Sequence, residues 1–166
     1  MDDDNSTWKK LMDAGNLAFE KRRLADVERL YAEAVKEAVK FPDDDPRLAY
    51  TYNNYAALCH SQGKYAFAEN YYQKALAINE KNCGIDSLEV GQNLHNLAIV
   101  YSAKLRYDEA EPLYQRSIAI KEKHLGAEHK ELLSNLKNYA RLLKALKRDD
   151  EAQRLEDRAF AIAGLS

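Results

Sequence analysis

At 166 residues the chain is long enough for one well-built core and too short for two comfortable ones. A net charge of −2, with 46% apolar and 31% charged residues, gives a balanced surface that calls for no polyanionic partner such as DNA. Six glycines and three prolines cannot turn an all-β chain, so long helices are expected.

In chain order, the first helix pair is expected near 6–21 and 24–40. The second falls near 46–62 and 65–82, where Asp45 offers a capping acceptor and Pro46 suits the first helical position. The third, near 87–104 and 107–124, is announced by Asp86 with Glu89 at capping-box spacing. Gly84 and Gly126 suit helix ends that need a left-handed residue. The fourth pair is expected near 129–147 and 149–163.

These pairs are copies of one unit. NYAALCHSQGKYAFAENYYQKALAI from Asn54 aligns without a gap with NLAIVYSAKLRYDEAEPLYQRSIAI from Asn96, 42 residues on. NYARLLKALKRDDEAQRLEDRAFAI from Asn138 follows at the same offset, and a weaker copy begins at Asp13. Small residues recur at Gly15, Ala56, Ala98 and Ala140, at Val27, Ala68, Ala110 and Ala152, and at Ala34, Ala75, Ser117 and Ala159. Such positions let helix axes approach. Larger residues recur beside them at Leu11, Tyr52, Leu94 and Leu136, and at Tyr31, Tyr72 and Tyr114; Glu156 breaks the last series. Tyr55, Tyr65, Tyr107 and Tyr139 also hold repeat-equivalent packing positions.

The pattern resembles the tetratricopeptide repeat, in the long-repeat form of kinesin light chains and their bacterial relatives. The markers are the turn Gly63-Lys64-Tyr65, the segment YDEAEPLYQRSIAIKEKHLG from Tyr107 to Gly126, and the recurring asparagine. Departures are Leu105 and Lys147 at the turn glycine, Lys130 where the family has proline, and the degenerate first copy. The resemblance implies an all-α fold: one right-handed α-solenoid domain over 1–166, with repeats at 6–41, 46–83, 87–125 and 129–163.

The resemblance also implies that the first helices line a concave surface. Carried across position by position, that surface comprises Lys9, Asp13 and Asn16; Tyr50, Asn53, Asn54, Ala57 and His60; Gln92, His95, Asn96, Ile99 and Ser102; and Ser134, Lys137, Asn138, Arg141 and Lys144. Asn54, Asn96 and Asn138 place one carboxamide per repeat, able to serve both the N–H and the C=O of an extended peptide. The same asparagines would equally satisfy a local backbone group or bridge neighbouring helices. Lys137, Arg141, Lys144 and Arg148 share one helical face. Their mutual repulsion would be relieved by an acidic ligand, or tolerated as a solvated edge.

No zinc-ligand spacing links His60, His95, His124 or His129 to Cys59 or Cys83, and no phosphate loop or nucleophile motif occurs. Cys59 sits at a packing position and Cys83 near an exposed helix end; neither forms a CxxC pair. The acidic start Met1-Asp2-Asp3-Asp4 is not a signal peptide, no run reaches a membrane span, and Ser166 reads as a natural terminus. The expectation is a cytoplasmic, non-enzymatic protein without cofactor or metal. It would capture an extended, acidic protein segment, bind neither nucleic acid nor membrane, and be a monomer or weak homodimer. The alternative is a scaffold that self-assembles through apolar surface at Trp8, Met12 and Leu155.

Overall fold

Each helix pair is closed by the same turn. Arg22, Gly63, Leu105 and Lys147 all adopt left-handed backbone, with φ of 54°, 72°, 60° and 59°. In each case the next amide reaches five residues back, as from Lys64 N to Cys59 O at 2.8 Å and from Arg148 N to Leu143 O at 2.9 Å. The left-handed residue itself bonds three residues back, as from Leu105 N to Ser102 O at 3.0 Å. This satisfies two otherwise orphaned carbonyls at each helix end. Glycine is the residue that adopts this backbone without strain, yet three of the four copies do without it. The turn is imposed by the packing of the two helices it joins.

A computed structural model describes residues 3–164; Met1, Asp2 and Ser166, on which the readings of the chain ends rest, lie outside the described residues. Among these residues the chain is all-α, with α1 (Asp3–Glu20), α2 (Leu24–Ala38), α3 (Pro46–Ser61), α4 (Tyr65–Cys83), α5 (Leu88–Ala103), α6 (Tyr107–Leu125), α7 (Leu132–Ala145) and α8 (Asp149–Ile162). The chain divides into two compact units, Met1–Asn82 and Cys83–Ser166, each holding two helix pairs.

Three helix starts differ from expectation: α1 begins at Asp3 rather than 6, and α5 and α7 are shifted as well. Ser87, not Asp86, caps α5: its side chain accepts from Val90 N at 3.3 Å. Asp86 instead pairs with Lys123 at 3.2 Å. Helix α7 begins at Leu132 rather than 129, because neither a capping side chain nor a proline fixes an earlier start. Asp45 does cap α3, accepting from Arg47 N at 2.8 Å, with Pro46 at the first position.

In the first unit Met12, Ala18, Val27, Tyr31, Ala34 and Leu58 form one core cluster, and Ala38, Leu48, Ala49, Ala75 and Ile78 a second. Trp8 joins both. Its Nε1 donates to Thr51 Oγ1 at 2.8 Å, and its ring meets Phe41 edge-on with centroids 5.9 Å apart. Trp8 and Met12 are therefore interior, not end surface: Met12 is buried, Trp8 is half-buried, and Leu155 in the second unit is half-buried as well. Gly15 allows α1 to press against Tyr31, where an added Cβ would fall within 2.6 Å of Cδ1.

The second unit is built on Leu94, Leu97, Ala98, Ala110, Tyr114, Leu132, Leu136 and Leu143, all buried. Helix α6 contacts both α5 and α7, and α7 contacts α8. Buried among these helices are also Asn93, His95, Ser117, Lys121 and Asn135.

Candidate peptide-binding site

The expected contact residues divide by burial. Lys9, Asp13, Tyr50, Gln92, Ser134, Lys137, Arg141 and Lys144 are exposed. Asn16, Asn53, Asn54, Ala57, His60, Asn96, Ile99, Ser102 and Asn138 are half-buried. His95 departs from the expectation: at 3% exposure it belongs to the interior and does not present itself to a ligand. Helix α5 touches both α6 and α7, so it buries more than one stripe, and His95 lies on the covered part.

The three asparagines are not sealed inside, but they are not equivalent. Asn54 Nδ2 donates to Tyr50 O in its own helix at 3.1 Å, which satisfies a local backbone group. Asn96 Oδ1 accepts from Gln92 Nε2 at 3.0 Å. Asn138 lies between two partners: its Nδ2 is 3.4 Å from His95 Nε2, and its Oδ1 accepts from Arg141 Nη1 at 3.3 Å. In the first copy the Asn16 carboxamide is taken up by tyrosines, donating to Tyr50 Oη at 3.0 Å and accepting from Tyr31 Oη at 2.7 Å.

With its Oδ1 toward Arg141, the Asn138 carboxamide turns its Nδ2 to His95 Nε2. His95 Nδ1 is buried without a hydrogen-bond partner among the described residues. Burial, with the Lys121 ammonium nearby, pushes the His95 pKa down to about 4. Lys121 is itself 3% exposed. Its Nζ donates to Gln92 Oε1 at 3.0 Å and Asn135 Oδ1 at 3.1 Å, and burial lowers its pKa. The chain continues from Asn135 Nδ2 to Ser117 Oγ at 2.6 Å and from Ser117 Oγ to Gly91 O at 2.6 Å.

Lys121 and Asn135 were not singled out by the sequence reading. The signal existed, since Lys121 occupies the column held by Ala38, Asn79 and Ala163 in the other copies. A lysine in a column that otherwise takes small or neutral side chains marks a polar interhelical contact.

The basic stripe is partly neutralised. Lys144 Nζ bonds both Glu156 oxygens, at 2.6 and 2.8 Å. Arg148 is gripped by Glu151 and Glu111, which hold its pKa above the usual arginine range. Burial pushes Glu111 up, but its bonds to Arg148 and Tyr139 prevail and hold it below the usual carboxylate range. Lys137 and Arg141 have no carboxylate within ion-pair distance among the described residues. They border a cavity of about 460 Å³ between α7 and α8, with Lys144 and Glu156 beside them and Ala159, Phe160 and Ala163 as its apolar wall.

Cys59 is buried, and burial raises its thiol pKa; Cys83 is exposed, and both thiols are free. Among the described residues no cluster of histidine, cysteine and carboxylate suited to a metal occurs, and no helix is long and apolar enough to cross a membrane.

The tetratricopeptide repeat signature matches residues 10–81, 47–123 and 89–164, which together span nearly all the described residues. The chain belongs to the tetratricopeptide repeat family. Its structural neighbours include kinesin-light-chain-like tetratricopeptide repeat proteins. BtubC from P. vanneervenii superimposes with a TM-score of 0.82 at 25% identity, over 91% of this chain and 61% of that one. A putative kinesin light chain of Podosopora anserina with nearly identical TPR-like repeats gives 0.75 at 22% identity, over 94% and 74%. The apo form of RapI gives 0.81 at 16% identity, covering 100% of this chain and 45% of that one. Among curated proteins, Photosystem I assembly protein Ycf3 of Cyanophora paradoxa is 34% identical over 82 residues, 48% of this chain and 43% of Ycf3. The chain thus spans less than half the length of that relative and less than two thirds of BtubC.

Proposed function

We propose that this tetratricopeptide repeat protein is a scaffold whose first helices capture an extended, acidic segment of a partner protein. The observation that carries the reading is the pair of exposed cations on α7, Lys137 and Arg141, unmatched by carboxylates and next to half-buried Asn138. Cations already satisfied, such as Lys144, orient nothing new; unmatched ones are attracted to an acidic side chain and confer a salt-dependent association. Asn96 adds a carboxamide whose Nδ2 is open to a peptide carbonyl. One such bond contributes about 0.5–1.5 kcal/mol, so it orients the peptide more than it tightens binding. The scaffold role typical of the tetratricopeptide repeat family supports a binding module.

The test is an array of extended acidic peptides probed with the parent, Asn96→Ala and Arg141→Glu. Affinity in the micromolar range, about −8 kcal/mol, is expected for the parent. Each variant should bind about fivefold or more weakly with little change in melting temperature. If both bind as the parent does, the reading fails.

A further inference from the structure

Register within the repeat shows what the outer face of α8 is shaped for. Helix α6 carries Ser117, Ile118, Ile120 and Lys121, all buried. Ser117 and Lys121 meet α7 through Asn135, at 2.6 and 3.1 Å. One repeat later the same positions on α8 are Ala159, Phe160, Ile162 and Ala163. Of these, Ala159, Phe160 and Ala163 line the cavity; Phe160 is 53% exposed and Ala163 half-buried, while Ala159 is itself buried. In the first unit the matching positions on α2, Ala34 and Ala38, are fully covered.

The chemistry of this face differs from that of α6. Ser117 and Lys121 are replaced by Ala159 and Ala163, so the polar partner Asn135 supplies there has nothing to bond here. An occupant needs an apolar stripe to cover Phe160 and sit on Ala163. The rim is the second constraint. Asn138 of α7 approaches His95 of α5, and the residue equivalent to His95 on α7 is Lys137. A helix seated on α8 as α7 is seated on α6 would therefore bring its Asn138-equivalent position to Lys137. A carboxylate there would meet an unmatched ammonium, with Arg141 beside it.

We infer that the α7–α8 face is a docking site for an acidic amphipathic helix of a partner protein, with a glutamate or aspartate placed against Lys137. The occupant is helical and rests on α8, whereas the extended segment proposed above rests on the first helices; only the two cations are shared. Phe160 and Asn96 therefore separate the two ideas.

The probe is a fluorescein-labelled peptide spanning Glu131–Leu146 with Asn135→Leu, and with glutamate at positions 137, 138, 141 and 144. The control carries lysine at those four positions. Fluorescence anisotropy should show the acidic probe binding the parent at micromolar Kd, about tenfold or more tighter than the lysine control. Phe160→Asp and Lys137→Glu should each weaken it about tenfold, while Asn96→Ala leaves it unchanged. Circular dichroism melts of each variant confirm folding, and Phe160→Ala provides a milder truncation should Phe160→Asp unfold. Equal affinity for the acidic and lysine probes overturns the proposal, as does full binding by both Phe160 variants. Sedimentation velocity showing a parent dimer that Phe160→Asp dissolves would assign the face to a second copy, and would overturn it as well.

Discussion

The two units follow one repeat pattern with interiors of different polarity. In the first, Trp8, Met12, Val27, Tyr31 and Leu58 close the core, and the buried polar Thr51 is satisfied by Trp8 and by its own helix, donating to Arg47 O at 2.7 Å. In the second, a connected string of Gln92, Lys121, Asn135 and Ser117 runs between three helices, with His95 buried beside it. The small-and-large columns of the repeat set where helices meet; they leave open whether the meeting is dry or hydrogen-bonded. A polar interior specifies register, because each donor must find its acceptor, but it couples stability to protonation.

The largest expected difference between the units is acid sensitivity. His95 is held near pKa 4 when folded and returns to about 6.5 when unfolded. Between those values the unfolded chain binds a proton that the folded chain refuses, so stability falls as pH drops. Each unit between them is worth about 1.4 kcal/mol, or about 3 kcal/mol in all by pH 4. Half-buried His60 gives the first unit a slope of the same sign. Segment-resolved hydrogen exchange at pH 7 and pH 4.5 should show the second unit losing protection first, and His95→Gln should flatten its slope. Earlier opening of the first unit would reverse the comparison.

A smaller effect probes the first unit. Gly15→Ala drives a methyl into the Tyr31 ring, which is packed on all sides, and should cost about 1–3 kcal/mol in a chemical denaturation curve. The other copies carry alanine at this position, so an unchanged midpoint would mean that α1 withdraws without loss.

The smallest effects come from the turns and have opposite signs in the two units. Gly63 has open space around its missing Cβ, so Gly63→Ala costs only the left-handed backbone strain, about 1 kcal/mol. Lys147→Gly relieves that strain and should stabilise by a few tenths to about 1 kcal/mol, less because glycine also loosens the unfolded chain. Melting temperatures that moved in the same direction for both would show that side-chain contacts, not backbone conformation, govern these turns.

Much of the fold was legible in the spacing of residues. The columns at Ala56, Ala98 and Ala140, and at Tyr31, Tyr72 and Tyr114, are buried as their recurrence implies. The turn was harder to read, because Arg22, Leu105 and Lys147 take a conformation that sequence preference assigns to glycine. Cap identity at Ser87 over Asp86 hung on one residue of register, finer than periodicity resolves. The site was only partly legible. Exposure of Lys137 and Arg141 follows from the helical stripe, but the loss of Lys144 and Arg148 to Glu156, Glu111 and Glu151 depends on acids from two other helices. His95 shares its helix with Asn96 and Gln92, and only the placement of α6 and α7 reveals that it faces inward.

The two thiols have different fates. Cys83 stands in solvent, open to an alkylating reagent, whereas Cys59 is shielded within α3 and its raised pKa keeps it protonated. Modification of Cys59 must wait for its helix to come away. The protein thus carries an internal stopwatch: the delay between the two modifications times how often the first unit breathes.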